Sequence, residues 1–289
     1  MANILFVGVF DTSKKSTNTS QLLSFKKSGH NVTGYNYRKK ALEIGNEKRD
    51  EELINLVKNK KFDLVVYSKC NVVSERVFIE NSKISKTCLW FMDSLINFDD
   101  EMKQKTRLVD YFCCDKENVL TEALKINKKS TKICEGYDET VDKPYDLEKE
   151  YNISFIGNLY GERADFIDKI NKKVHIFSNI YGSDHAKTVS KSWINLNICT
   201  NSDASDRVYK ILASGGFLLT NDWVGRADNF KDGKDLMIYK DLEDLKSKID
   251  YCLNNKLLLN KISTSGKNKV KKYSRLNWAI NLVNFCNEK

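Results

Sequence analysis

The sequence predicts an α/β protein with two domains, each built on a parallel sheet, and three observations support this fold class. Residues 4–9 form an apolar run that ends in a small, polar loop and precedes a helix and a second strand. The pattern of a strand running into a glycine loop begins again at residues 151–158. Residues 205–223 join an amphipathic helix to an apolar strand through Ala-Ser-Gly-Gly. Continuous apolar strands that alternate with helices are typical of parallel sheets covered on both faces.

Length and composition are those of a globular protein. The chain has 289 residues, which suits two domains, with 41% hydrophobic and 30% charged residues. No apolar run approaches the length of a membrane span, and the first ten residues are typical of a core strand rather than of a signal peptide. We therefore expect a cytoplasmic location. Eight cysteines without a CxxC pair, together with three histidines, argue against a zinc site.

The formal net charge of +9 has two interpretations. Abundant lysine gives a solvated surface with no further role. Alternatively, the charge attracts an anionic partner, such as nucleotide phosphates, nucleic acid or a membrane face. No single block of like charge is long enough to indicate a nucleic-acid-binding arm.

The first half of the chain predicts strands at residues 4–9, 31–35, 62–67, 87–92, 111–114 and 130–134, with helices near 19–28, 49–60, 74–81 and 116–124. The loop after the first strand lacks the GxGxxG fingerprint, which argues against a dinucleotide cofactor. The only proline, Pro144, lies in a polar stretch, where domain boundaries usually fall. We therefore expect domains at 1–145 and 146–289.

The second half predicts strands at 151–158, 174–177, 192–199 and 217–220, and helices that begin near 163, 206, 256 and 278. The glycine pair that ends the 206–213 helix either caps the helix or lets a ligand approach the backbone closely. Arg207 and Lys210 share one face near the start of this helix. Cations are unfavourable at a helix N-terminus unless an anion binds there.

Several motifs in this half resemble those of the CgeB-like (spore-maturation-type) glycosyltransferases of the GT-B fold. In that family an Arg-x-(Phe/Tyr)-Glu motif precedes a Leu-Leu-Thr strand, as Arg207-x-Tyr209 precedes residues 218–220 here. The resemblance covers most of residues 150–280 and, more weakly, the first half. It implies two Rossmann-like domains whose parallel sheets face a central cleft, with the terminal helix crossing back onto the first domain.

The resemblance also implies an activity: transfer of a hexose or pentose from a nucleotide-diphosphate sugar, most often a UDP-sugar, without a metal or other cofactor and with retention. Backbone N–H groups at a helix start and a guanidinium suit phosphate oxygens. Arg163 has a second interpretation, as a surface residue in a first helical turn. The residues that the resemblance places at the donor are Gly8, Phe10, Gly157, Asn158, Arg163, Asn197, Asp206, Arg207, Tyr209, Lys210, Gly215 and Gly216.

Asp93 follows the strand at 87–92, and Trp90-x-x-Asp93 matches a family motif. Asp93 is therefore the candidate acceptor-side base, or alternatively a helix N-cap. Asp11 and Glu135 are further candidates if the reaction inverts the anomeric centre. Lys210 departs from the family, which has a glutamate there that accepts hydrogen bonds from the donor ribose. Lysine only donates and does not replace that contact.

Two other functions fit the sequence. The basic charge suits a glycosyltransferase that modifies nucleic acid, for example DNA bases. Lys210 in place of glutamate suits a GT-B protein that binds ligands without catalysis. The acceptor is open among glycans, proteins, small molecules and DNA.

Overall fold

A computed structural model describes residues 1–11 and 16–288 of the chain. The chain divides into two compact units, one of Met1–Glu135 with Arg275–Lys289 and the other of Gly136–Ser274. Both units are α/β structures with parallel sheets, as the sequence predicts. No helix among the described residues combines the length and the apolar character that a membrane span requires.

The first unit contains a six-stranded sheet in the order β2-β1-β3-β4-β5-β6. Its strand pairs are parallel. The strands are β1 Asn3–Gly8, β2 Asn31–Asn36, β3 Leu64–Ser68, β4 Lys86–Phe91, β5 Tyr111–Cys114 and β6 Ser130–Lys132. The helices are α1 Thr17–Lys27, α2 Tyr37–Ile44, α3 Asn46–Lys60, α4 Glu75–Ser82, α5 Asp100–Leu108, α6 Glu117–Ala123 and, from the end of the chain, α13 Arg275–Asn287.

Two apolar clusters hold the first unit together. One includes Leu5, Val65 and Leu89 beneath α3–α5, and the other includes neighbouring strand residues beneath α1 and α13. Trp278 of α13 is central to the second cluster: its ring centroid lies 5.1 Å from that of Phe25 and 5.3 Å from that of Trp90. The alternation of residues along each strand thus supplies a core on both faces of the sheet.

The second unit contains a five-stranded sheet in the order β11-β10-β9-β7-β8, again with parallel pairs. The strands are β7 Tyr151–Ile156, β8 His175–Phe177, β9 Ser192–Asn197, β10 Leu218–Asn221 and β11 Met237–Tyr239. The helices are α7 Arg163–Asp168, α8 Gly182–Ser190, α9 Asp206–Ala213, α10 Arg226–Asn229, α11 Leu242–Asn254 and α12 Lys256–Val270.

The observed boundary lies between residues 135 and 136, earlier than the expected 145. The polar stretch after residue 136 is held by the second unit, since the Tyr137 N–H donates to the carbonyl of Tyr273 at 3.2 Å. Further along, the Tyr145 N–H donates to Ser190 Oγ at 3.0 Å. These bonds explain why composition alone misplaced the boundary: a polar, proline-containing stretch is here an ordered part of a domain. Residues 275–289 belong to the first unit.

Candidate functional site

The strand order of the second unit reverses beside β7. The chain passes from β7 to β8 on one side, whereas β9, β10 and β11 lie on the other. Ligands of open α/β sheets bind beyond the carboxyl ends of strands at such a point. A pocket of about 160 Å³ is found there, lined by Ile156, Gly157, Asn158, Tyr160, Phe177, Asn179, Ile180, Tyr181, His185, Asp206, Arg207 and Lys210.

Arg207 spans this switch point from the first turn of α9. Its Nη1 donates to Asn197 Oδ1 at 3.1 Å, and its Cζ lies 5.2 Å from the ring centroid of Phe155. Asn197 is itself fixed, because its Nδ2 donates to Thr220 Oγ1 at 3.0 Å. The guanidinium is therefore held in one place by a buried amide and an aromatic face, which is an arrangement that preorganises a cation.

Gly157 gives the Arg207 side chain its room. The residue follows β7 with φ +151°, and a Cβ placed on it would lie 2.9 Å from Arg207 Nη2 and 3.0 Å from Cζ. Real Cβ atoms essentially never approach a heavy atom that closely. A glycine at this position thus lets the guanidinium lie directly against the backbone at the end of β7.

Arg163 adds a second guanidinium beside the pocket. Its Nη1 donates to the carbonyl of Asn158 and its Nη2 to that of Ile198, both at 3.3 Å, while Nε has no hydrogen-bond partner. Burial lowers the pKa of the Arg207 guanidinium, and the charge of Arg163 lowers it further. Both guanidiniums donate to neutral acceptors, so their positive charge is available to an anion.

The positive charge of Lys210 is balanced by a neighbouring carboxylate. Its Nζ lies 2.5 Å from Asp206 Oδ2, and both side chains are about one quarter exposed. Of the two cations that share this helix face, Lys210 thus has an anionic partner within the protein, the Asp206 carboxylate. The Asp206–Lys210 ion pair instead brings one acceptor group and one donor group to the pocket wall.

Three residues that the resemblance placed at the donor lie away from the pocket. Tyr209 is buried, with its ring centroid 5.4 Å from that of Tyr273 and 6.3 Å from that of Phe230. Gly215 has φ +73° and its N–H donates to the carbonyl of Leu212 at 3.0 Å, which is a helix C-cap. A Cβ on Gly216 would lie 2.4 Å from Val189 Cγ1. In the structure these positions serve packing and capping, and their contacts with a donor stay a prediction.

The predicted residues of the first unit lie at the carboxyl edge of its own sheet. Gly8 ends β1, where a Cβ would lie 2.8 Å from Asn18 Nδ2, and Phe10 packs on Phe6 with centroids 5.6 Å apart. Residues 12 and 13 of the predicted loop lie outside the described residues. Asp93 follows β4 and forms an ion pair with Lys69 Nζ at 2.6 Å.

His185 is among the pocket residues that the sequence analysis missed. It lies on α8 with 6% of its surface exposed, and neither ring nitrogen has a hydrogen-bond partner. Burial, followed by the charge of Lys210, lowers the pKa of the imidazole to about 3. No sequence signal marked it, because a histidine within a polar helix carries no periodic pattern.

Comparison with known proteins agrees with this geometry. Residues 141–282 match the model of a family described as glycosyl transferase-like. Most of the second unit is therefore similar to a glycosyl transferase-like domain. A search of curated protein sequences gave no significant match. Within the described residues, no group of three or more His, Cys, Asp or Glu side chains is arranged to hold a metal ion.

Solved structures similar to the whole chain extend the comparison beyond the glycosyl transferase-like domain. HepE of Anabaena, in complex with UDP, superposes with a TM-score of 0.69 at 9% identity over 98% of both chains. A glycosyltransferase of Rickettsia africae superposes with a TM-score of 0.72 at 13% identity, over 98% of this chain and 97% of the other. Sucrose-phosphate synthase of Thermosynechococcus elongatus gives 0.71 at 10% identity over 98% of both.

The predicted fold, with two parallel sheets matching GT-B structures, is thereby confirmed. The predicted class, a glycosyltransferase of the GT-B type, agrees with the family match over residues 141–282 and with the fold. The finer prediction of a CgeB-like protein stays a prediction.

Proposed function

We propose that this protein transfers a sugar from UDP-sugar to an acceptor, with retention of the anomeric configuration and without a metal ion. The observation that carries the proposal is the Arg207 guanidinium, fixed against Gly157 at the switch point of the second sheet. HepE was crystallised with UDP and with UDP-glucose, which supports this choice of donor. The motif Arg207-x-Tyr209 before the 218–220 strand supports the CgeB-like subgroup.

In this proposal the diphosphate of the donor binds against Arg207 and Arg163. Cleavage of the bond from the sugar to the phosphate leaves negative charge on the departing UDP. Fixed cations stabilise that charge without having to reorganise as it develops. The dipole of α9 places partial positive charge at its first turn, which adds to this stabilisation. Because these groups supply the positive charge, we expect transfer to continue in the presence of EDTA.

The proposal is tested by measuring thermal unfolding of the full chain with UDP, GDP, ADP and inorganic pyrophosphate, each with EDTA. A ligand at one hundred times its dissociation constant stabilises the folded state by about 2.7 kcal/mol. We expect UDP and pyrophosphate each to raise the unfolding temperature clearly. In a separate assay we expect the protein to hydrolyse a UDP-sugar slowly. No shift with any of these ligands contradicts the proposal. Binding of UDP without hydrolysis or transfer supports a non-catalytic protein instead, and salt-sensitive retention on DNA supports a nucleic-acid acceptor.

Asp93 provides a test of the stereochemistry. The Lys69–Asp93 ion pair occupies the carboxylate that an inverting reaction would use as its base. We expect Asp93→Asn to lower kcat by less than about tenfold, since general base catalysis typically contributes 10²–10⁴-fold. The rate of transfer and the NMR signal of the product's anomeric proton are the measurements. A loss of 10²-fold or more together with an inverted product assigns Asp93 as the base and overturns retention.

A further inference from the structure

His185 is a buried polar side chain without partners in the wall of the pocket. With 6% of its surface exposed, both Nδ1 and Nε2 lack a hydrogen bond within the protein. An unsatisfied buried donor or acceptor costs free energy, and most buried polar atoms have a partner. The ring also lines the cavity beside Asp206 and Lys210. Both ring nitrogens have almost no accessible surface, so a ligand in the pocket gives the imidazole a partner once the ring rotates toward it.

The charge state of His185 restricts the chemistry of that ligand. Burial and the neighbouring charges of Lys210 and Arg207 lower the pKa of the imidazole to about 3, so the ring is neutral near pH 7. A neutral imidazole has one N–H donor and one acceptor nitrogen. It adds no positive charge for a phosphate and offers it only one N–H donor, whereas a hydroxyl group both donates and accepts and therefore complements both ring nitrogens.

The pocket thus has two chemically different sides. Arg207 supplies positive charge whose hydrogen bond goes to a neutral amide. His185 and the Asp206–Lys210 ion pair supply donors and acceptors that are together nearly neutral. A ligand with an anionic part joined to a hydroxyl-bearing part fits both sides, and a ribonucleoside diphosphate has this composition.

We propose that His185 binds a ribose hydroxyl of the nucleotide and that the Asp206–Lys210 ion pair lies beside it as a further donor and acceptor. This inference rests on the proposed function. It assigns the discrimination between ribose and a sugar without hydroxyls to a residue outside the motifs of the sequence. A site built to hydrogen-bond a hydroxyl rejects the analogue that lacks it, because buried polar groups are then left unpaired.

The test is calorimetric titration of the full chain with UDP, 2′,3′-dideoxy-UDP and pyrophosphate. For the unchanged protein we expect dideoxy-UDP to bind at least about tenfold more weakly than UDP, as expected for one or two lost hydrogen bonds. His185→Phe keeps a planar ring but no polar atom. It is expected to lose most of the preference for UDP over dideoxy-UDP, with the remainder due to the Asp206–Lys210 ion pair, and to bind pyrophosphate as the unchanged protein does. His185→Asn retains a donor and an acceptor and is expected to recover part of the preference.

Two results overturn the inference: equal binding of UDP and dideoxy-UDP by the unchanged protein, or an unaltered preference in His185→Phe. If His185→Phe does not fold, His185→Leu, which also lacks polar side-chain atoms, takes its place in the comparison of the two nucleotides. Failure of the proposed function is a different result, in which neither UDP nor pyrophosphate binds the unchanged protein. If the unchanged protein binds UDP and pyrophosphate but does not distinguish UDP from dideoxy-UDP, the role of His185 is wrong and the proposed function still stands.

Discussion

Replacing Arg207 with methionine is expected to weaken binding of UDP and of pyrophosphate by roughly 10- to 150-fold. Methionine keeps an unbranched stem against Phe155 but removes the charge and every N–H donor. Hydrogen bonds to charged groups contribute about 1.5–3 kcal/mol, and each 1.4 kcal/mol corresponds to about tenfold in affinity. Titration calorimetry with both ligands measures the loss directly. Because pyrophosphate lacks the nucleoside, an equal loss with both ligands places the interaction at the phosphates.

The matched control is Arg76→Met, the same substitution on the exposed surface of α4. It removes the same charge. We expect the affinities for UDP and for pyrophosphate to change by no more than about twofold, since surface substitutions rarely have larger effects. Arg207→Lys separates charge from geometry, because lysine keeps the charge but loses the guanidinium fork. We expect it to bind with intermediate affinity. Unchanged affinity in Arg207→Met, in a protein with an unaltered unfolding temperature, contradicts a phosphate site at this position.

Trp278→Ala is expected to destabilise the first unit by about 3–5 kcal/mol, the usual cost of truncating a buried aromatic side chain to alanine. The indole is 1% exposed and packs on Phe25 and Trp90, so its removal leaves a cavity between α13 and the sheet. Urea denaturation followed by circular dichroism measures the effect. Because two-domain chains often unfold in separate steps, we expect one transition to move and the other to stay.

Ile280→Ala on the same helix is the matched control, since Ile280 is 36% exposed. It truncates a side chain of α13 without opening the aromatic cluster. We expect it to lower the free energy of unfolding of the first unit by about 0.5 kcal/mol. A shift of both transitions by Trp278→Ala, or equal effects of the two variants, would show that the helix does not stabilise the first unit specifically.

Much of the fold was predictable because the strands have a simple pattern. Buried parallel strands such as β1 and β3 are apolar at nearly every position, and this pattern is visible without a structure. Helix α5 was not predicted, because its buried positions are Met102, Lys105 and Thr106 rather than an apolar stripe. The Lys105 ammonium is satisfied by the carbonyls of Cys70 and Asn71, and only the folded chain brings these groups together.

The site was predictable in part for the same kind of reason. Gly157 and Arg207 belong to a strand-to-loop junction and a helix start, which sequence patterns locate well. Gly215 and Gly216 show the limit, because a glycine needed for a helix cap and one needed for ligand approach look alike in sequence. His185 was missed because what distinguishes it is the lack of partners around a buried ring, a property of packing rather than of the chain.

The discontinuous first unit has a consequence for synthesis of the chain. Its helix α13 leaves the ribosome only after residues 136–274, which form the whole second unit. At about 5–20 residues per second, the nascent first unit waits roughly 7–28 seconds with the apolar face around Phe25 and Trp90 uncovered. The second unit is continuous in sequence and can therefore complete its fold first. During that interval the growing polypeptide presents a ready surface for chaperones.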